Sequence, residues 1–126
     1  MTVLEHLKLV CELKDVPQNN MESIIAETLE VVMLTEAKNK LVCELSGGMK
    51  RKLSLGMAIV TRPQVIILDE PTSGLDVESR RQIWELIRRI KKDRSIIMSS
   101  QHLEEADELA DRIMIMTKGS ILKIDK

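Results

Sequence analysis

The segment VIILDEPTSGLD, residues 65–76, constrains the fold of this chain more than any other. Four aliphatic residues in a row are typical of a parallel strand that is covered on both faces. Asp69 and Glu70 follow at its end, and ligand groups collect at the carboxyl ends of strands in open α/β sheets. A carboxylate there can hold Mg²⁺, and an adjacent glutamate can orient or deprotonate a water that attacks phosphorus. Acidic residues also end many strands as plain solvated surface, so the pair alone leaves both interpretations open.

The rest of the chain alternates helical and extended patterns. The order is two or three helices, then strands alternating with helices, then a hairpin, which predicts an α/β sheet with an N-terminal helical subdomain. The predicted helices lie in residues 2–16, in residues 21–34 with Asn20 as the cap, in residues 49–60 and in residues 77–92. SIIMSS and IMIM are typical of short strands, LEEADELADR predicts a helix between them, and TKGS predicts the turn into a return strand, ILKI.

A second motif, LSGGM at residues 45–49, indicates an anion site. Ser46 can cap the helix that follows, and Gly47 and Gly48 let a ligand approach the backbone closely. Exposed amides and the helix dipole favour a phosphate at such a helix start. The basic residues 50–52 occupy the first turn, where the dipole disfavours cations, and a bound polyanion would offset that conflict. A Gly-Gly turn with a solvated basic face remains the plain alternative.

Composition excludes several classes of function. The chain has 126 residues, a formal net charge of −1, no Phe or Tyr and one Trp, so it lacks both the basic excess and the aromatic platform of a nucleic-acid-binding protein. Trp84 lies in an amphipathic helix, where packing is the expected role. Cys11 and Cys43 are expected to be free, buried thiols. No uncharged run exceeds nine residues, which is too short for a membrane-spanning helix.

Taken together, LSGGMKRKL, PQVIILDEP and SGLD resemble the signature motif, Walker B strand and D-loop of the ATP-binding cassette (ABC) ATPases, in the family's order. KRKLSLGMAIV and DVESRRQIWELI are most similar to the A-subfamily lipid exporters or the bacterial ABC-2 drug exporters. The resemblance covers essentially the whole chain and implies a partial P-loop NTPase sheet with an N-terminal α-helical subdomain. Residues 1–62 would form the helical subdomain and signature helix, and residues 63–126 the Walker B, D-loop and H-loop part of the ATPase core.

The resemblance also implies roles for the motif residues. Asp69 would serve Mg²⁺, and Glu70 would polarise the water that attacks the γ-phosphate of ATP. Ser46, Gly47 and Gly48 would bind the γ-phosphate of an ATP held by the opposite cassette.

The third motif implies partners. Asp76, with Ser73 and Gly74, would form the D-loop that contacts a second cassette in a head-to-tail pair. The helical subdomain would dock onto the transmembrane domains of a transporter, at the cytoplasmic face of a membrane. The implied activity is ATP hydrolysis that drives transport of a lipid or amphipathic substrate, with no nucleic-acid partner.

The chain departs from the family at the switch histidine. Gln101 occupies the position that the spacing gives to this histidine, and His102 comes one residue late. A glutamine can donate a hydrogen bond to a phosphate but cannot act as a protonatable group. Gln101 is the preferred phosphate sensor, with His102 as the alternative.

The larger departure is that no G-x-x-G-x-G-K-[ST] phosphate loop occurs in the sequence. That loop is expected to lie upstream of Met1 or not to exist, and the 126-residue chain alone is expected to be inactive. Two other functions remain open: a catalytically incomplete cassette that acts as an interaction module, and a non-transport ABC ATPase of the chromosome-maintenance or translation-factor kind.

Overall fold

The computed structural model describes residues 1–125, which form helices followed by alternating strands and helices, as the sequence predicts. The helices are α1 (Val3–Leu13), α2 (Gln18–Val31), α3 (Gly47–Ile59), α4 (Val77–Ile90) and α5 (Leu103–Leu109). The strands are β1 (Val65–Asp69), β2 (Ser95–Ser99), β3 (Ile113–Thr117) and β4 (Ser120–Asp125). Two short 3₁₀ helices, Thr35–Ala37 and Val42–Glu44, connect α2 to α3.

The first three helices pack on one another through aliphatic side chains. Thr2 caps α1 with a capping box: its hydroxyl accepts a hydrogen bond from the Glu5 amide at 3.2 Å, and its own amide donates to the Glu5 carboxylate at 2.7 Å. Val3, Leu7 and Cys11 lie on one face of α1 and are fully buried. The spacing of apolar residues therefore predicted this helix correctly, although the helix is shorter than the predicted residues 2–16.

The start of α2 differs from the sequence prediction. The helix begins at Gln18 after Pro17, and Asn20 lies inside the first turn, where its amide donates to the Pro17 carbonyl at 2.9 Å. Proline fits this place because its fixed φ suits a helix start and the first turn needs no amide from it. The predicted Asn20 cap is wrong.

Strands β1 and β2 form a parallel pair, with α4 as the crossover between them. The apolar stripe of α4, Ile83, Leu86, Ile87 and Ile90, is buried in one core cluster with Ile66 and Leu68 of β1. Val65 and Ile67 point the other way and are 54% and 75% exposed. The prediction that β1 is covered on both faces is therefore wrong for residues 1–125: side chains alternate along a strand, and the described elements cover only one face.

Strands β3 and β4 form an antiparallel hairpin joined at Lys118 and Gly119. Both turn residues have positive φ, +46° and +77°, as a type I′ hairpin turn requires. Cys11 and Cys43 are free, but Cys43 is exposed, contrary to the expectation of two buried thiols. Within residues 1–125, no helix is both long and apolar enough to cross a bilayer.

Candidate functional site

The carboxyl ends of β1 and β2 meet because the parallel register pairs Asp69 with Ser99. The Ser99 hydroxyl donates a hydrogen bond to Asp69 Oδ1 at 2.5 Å and accepts one from the Glu70 amide at 3.0 Å. One serine therefore holds both the Asp69 side chain and the backbone of the residue after it. Asp69 is exposed, so its carboxylate is open to solvent.

Glu70 is half-buried and has a positive φ of +43°, a backbone conformation that non-glycine residues rarely adopt. Its Oε1 atom accepts a hydrogen bond of 2.8 Å from Gln101 Nε2. Of the two predicted sensor residues, Gln101 contacts Glu70. His102 is exposed at the start of α5, and its backbone amide donates to the Ser100 hydroxyl at 3.0 Å.

The glycine motif forms the start of α3. Ser46 is the cap, and its hydroxyl accepts a hydrogen bond from the Met49 amide at 3.2 Å, as predicted. A Cβ atom on Gly47 would have no neighbour within 4 Å, whereas one on Gly48 would lie 2.8 Å from Ser79 Oγ and 3.1 Å from Ser79 Cβ. Gly48 therefore permits close contact between α3 and α4, and Gly47 leaves the helix start open.

The basic residues after this motif do not form one solvated face. Lys50 is exposed and Arg51 is half-buried, but Lys52 is buried with 9% of its surface exposed. Burial lowers the pKa of the Lys52 ammonium, because a poorly solvated site disfavours its charged form. Of these three basic side chains, only those of Lys50 and Arg51 are accessible to an anion in solution.

The loop after β1 carries the predicted D-loop residues. The Ser73 amide donates to the Glu70 carbonyl at 3.1 Å, and Gly74 has a φ of +74° that favours glycine. Asp76 caps α4 by accepting a hydrogen bond of 3.1 Å from the Ser79 amide, and hydrogen bonds from Ser79 lower the pKa of its carboxyl. Ser73, Gly74 and Asp76 are all exposed.

Sequence reasoning missed the polar network beneath this loop. Glu105, in the segment predicted only to be a helix, is 1% exposed and accepts hydrogen bonds from Thr72, Trp84 and Ser100. The packing role predicted for Trp84 is correct, since it is buried, and its indole also serves as a donor. The one available signal was helical periodicity, which puts Glu105 on the same face as the buried Leu109.

The oxygen atoms at the strand ends suit a magnesium ion better than a softer metal. No group of three or more His, Cys, Asp or Glu side chains in residues 1–125 could enclose a metal. Mg²⁺ does not need such a cage, because it keeps several waters and uses one or two carboxylates together with phosphate oxygens. The Asp69 carboxylate, held by the Ser99 hydroxyl, fits that requirement.

A strand that ends in two carboxylates, beside a glycine-rich helix start and a Ser-Gly-Leu-Asp loop, defines part of a nucleotide-binding α/β domain. A family model described as "ABC transporter" matches residues 1–73. The chain therefore belongs to the ABC transporter family, and it corresponds to part of an ABC nucleotide-binding domain of the A subfamily. The family match ends before Gly74, so the end of the D-loop and Gln101 lie outside it.

Curated relatives support the subfamily. The chain is 44% identical over 121 residues, 96% of its length, to the human protein named "Phospholipid-transporting ATPase ABCA3". It is 44% identical over 117 residues, 93% of its length, to "ABC transporter A family member 2" of Arabidopsis thaliana. It is also 44% identical over 119 residues, 94% of its length, to "ABC transporter A family member 1" of Dictyostelium discoideum. The matched regions make up 7%, 12% and 14% of the lengths of these three relatives.

Proposed function

We propose that this chain supplies the Walker B, signature and D-loop part of an ATP-hydrolysing cassette that powers transport of a lipid or amphipathic substrate across a membrane. The observation that carries the proposal is the pairing of Glu70 with Gln101 beside Asp69, at the ends of two neighbouring strands. The transported class rests on the names of the relatives, one of which is a phospholipid-transporting ATPase.

The proposed roles follow from the positions of the side chains. Asp69 would hold Mg²⁺ through one carboxylate oxygen, and the bound ion would neutralise charge on the phosphates of ATP. Glu70 would orient the attacking water and accept its proton, while Gln101 keeps the Glu70 carboxylate in place through its amide hydrogens. Gln101 can also donate to a γ-phosphate, and it cannot titrate as a histidine would. His102, the alternative sensor, would have to turn towards the strand ends from the start of α5.

The second nucleotide contact would come from the start of α3. Ser46, Gly47 and Gly48 would face the γ-phosphate of an ATP bound by a second cassette in a head-to-tail pair, where open amides and the helix dipole favour an anion. Ser73, Gly74 and Asp76 would contact that cassette as the D-loop, and their exposure is compatible with this role. The helical part, residues 1–62, would dock onto transmembrane domains at the cytoplasmic face of the membrane. Residues 63–126 would form the Walker B, D-loop and H-loop part of the ATPase core.

The test is the Glu70→Gln variant of the native protein, since glutamine keeps the size of the side chain but is a poor base. We expect ATP hydrolysis to be lost while binding of MgATP is kept. Glu85→Gln, a change of the same kind at an exposed position of α4, is the control and should hydrolyse ATP normally. Normal turnover in Glu70→Gln would contradict the role of Glu70.

Transport has a separate test. An antibody against residues 78–92 should detect a band in the membrane fraction far above 14.3 kDa, the mass of the 126-residue chain. A soluble band near that mass that neither binds nor hydrolyses ATP would favour an interaction module. A soluble, larger ATPase would favour a non-transport cassette.

A further inference from the structure

A single buried carboxyl group on α5 joins three separate segments of the chain. Glu105 Oε1 accepts hydrogen bonds from Thr72 Oγ1 at 2.5 Å and from Trp84 Nε1 at 3.0 Å. Its other oxygen, Oε2, accepts one from Ser100 Oγ at 2.5 Å. Both carboxyl oxygens are therefore bound to donors, and the residue is 1% exposed.

The partners of Glu105 are neutral. Within residues 1–125, the ion pairs join other residues, and none includes Glu105. An acidic side chain is expensive to bury, and hydrogen-bond donors with good geometry are what make burial tolerable. An apolar residue at this position would leave the Thr72, Trp84 and Ser100 donors without their acceptor, so the carboxyl group couples the three segments that carry them.

Two of the three donors, Thr72 and Ser100, lie in the loops that meet at Glu70. Thr72 is two residues after Glu70, and its loop continues into Gly74. Ser100 directly precedes Gln101, the residue that donates to the Glu70 carboxylate. Glu105 therefore binds the residue before the D-loop and the residue before Gln101 to the same helix, α5.

We propose that Glu105 is a positioning residue for ATP hydrolysis: it fixes the loop after Glu70 and the loop before Gln101 relative to each other, and so maintains the contact between Glu70 and Gln101. This inference rests on the proposed function, because it assigns the contact a part in turnover. Trp84 anchors the arrangement to α4, since its indole can only donate and is bound to the same oxygen as Thr72.

The informative substitution is Glu105→Gln, which keeps shape and volume. Its carbonyl oxygen can still accept from Thr72 and Trp84, but its amide presents hydrogens to Ser100. The Ser100 hydroxyl then loses its short bond to Glu105 Oε2, and its hydrogen is left with the His102 carbonyl of its own loop, at 3.3 Å, as acceptor. The loop before Gln101 is thus released while the core stays filled. Glu104→Gln is the matched control, because Glu104 precedes it on the same helix and is exposed.

The first measurement is ATP turnover of the native protein. We expect Glu105→Gln to lower kcat by about 10- to 100-fold with KM for MgATP changed less than about twofold, because displaced catalytic groups slow the reaction without weakening ground-state binding. Glu104→Gln should match the parent protein. An effect on KM alone, or turnover equal to that of Glu104→Gln, would overturn the inference. A loss of kcat would also overturn it if the variant unfolded at a lower temperature than the parent protein, because general destabilisation would then explain the loss.

The second measurement is amide hydrogen exchange of residues 70–76 and 99–102, which needs no turnover. Exchange should rise in these two segments in Glu105→Gln and not in Glu104→Gln; unchanged exchange would refute the positioning role. Glu70→Gln, measured in parallel, separates the two proposals. If this variant hydrolyses ATP normally, the proposed function fails, and amide hydrogen exchange alone then tests whether Glu105 positions the two loops. If Glu105→Gln does not fold, Thr72→Val removes only the hydrogen bond from Thr72 to Glu105 and should raise exchange in residues 70–76.

Discussion

The two glycines of the signature motif should respond in opposite ways to the same substitution. Gly47 and Gly48 are adjacent in the first turn of α3, so alanine gives each the same gain in helical propensity. An added Cβ at Gly47 has no neighbour within 4 Å, whereas at Gly48 it would lie 2.8 Å from Ser79 Oγ and 3.1 Å from Ser79 Cβ. The difference between the two variants therefore isolates the contact between α3 and α4.

The size of the difference follows from what can move. The Ser79 hydroxyl can rotate away from a new methyl group, but its Cβ can move only if the start of α4 shifts, and that helix is held there by the Asp76 cap. Overpacking of this kind costs about 1–3 kcal/mol. Alanine at Gly47 should stabilise the protein by at most about 1 kcal/mol. We expect Gly48→Ala to be less stable than Gly47→Ala by about 2 kcal/mol.

Urea unfolding of the 126-residue chain, followed by circular dichroism, measures this difference. With a denaturant slope of about 2 kcal/mol per molar, the midpoint of Gly48→Ala should lie about 1 M below that of Gly47→Ala. Ser79→Gly removes both atoms that clash, so Gly48→Ala should cost little in that background. Equal midpoints for the two alanine variants, or a Gly48→Ala penalty that survives Ser79→Gly, would refute the reasoning.

Three further results are expected. A thiol reagent should modify Cys43 rapidly and Cys11 only on unfolding, because burial raises the pKa of the Cys11 thiol; equal rates in the native protein would contradict this. Lys52→Met should stabilise the protein near neutral pH. In the parent protein, urea midpoints should rise with pH between the lowered native pKa of Lys52 and about 10.4, because the unfolded state binds more protons than the native state in that range. The Lys52→Met variant should lack that rise. Gly74→Ala should lower the free energy of unfolding by about 1 kcal/mol, because φ at this position is +74°, and a neutral result in urea unfolding would exclude strain there.

Local patterns in the sequence predicted most elements of the fold. The buried stripe of α4 follows from the 3.6-residue period, and the Ser46 cap follows from a hydroxyl placed just before two glycines. Both depend only on neighbouring residues, and the structure confirms both. The Asn20 cap was wrong because two start signals competed, and Pro17 set the beginning of α2.

Features that depend on distant segments could not be predicted. An acid-rich helix normally faces solvent, and the burial of Glu105 requires donors from three places along the chain. The coverage of β1 likewise depends on which elements lie against each face, and an aliphatic run cannot specify that. The motif residues of the candidate site were found by resemblance, but Ser99, which holds Asp69 and Glu70, became visible only through the register of β1 and β2.

The backbone at Glu70 has an evolutionary consequence. A φ of +43° disfavours a side chain with a Cβ by about 1 kcal/mol or more, and glycine would avoid that penalty. A lineage selected only to keep this fold would therefore gain by losing the glutamate. The proposed role of Glu70 therefore predicts that related cassettes released from hydrolysis accumulate glycine or asparagine at this position, and that those under selection for turnover keep the acid despite its conformational penalty.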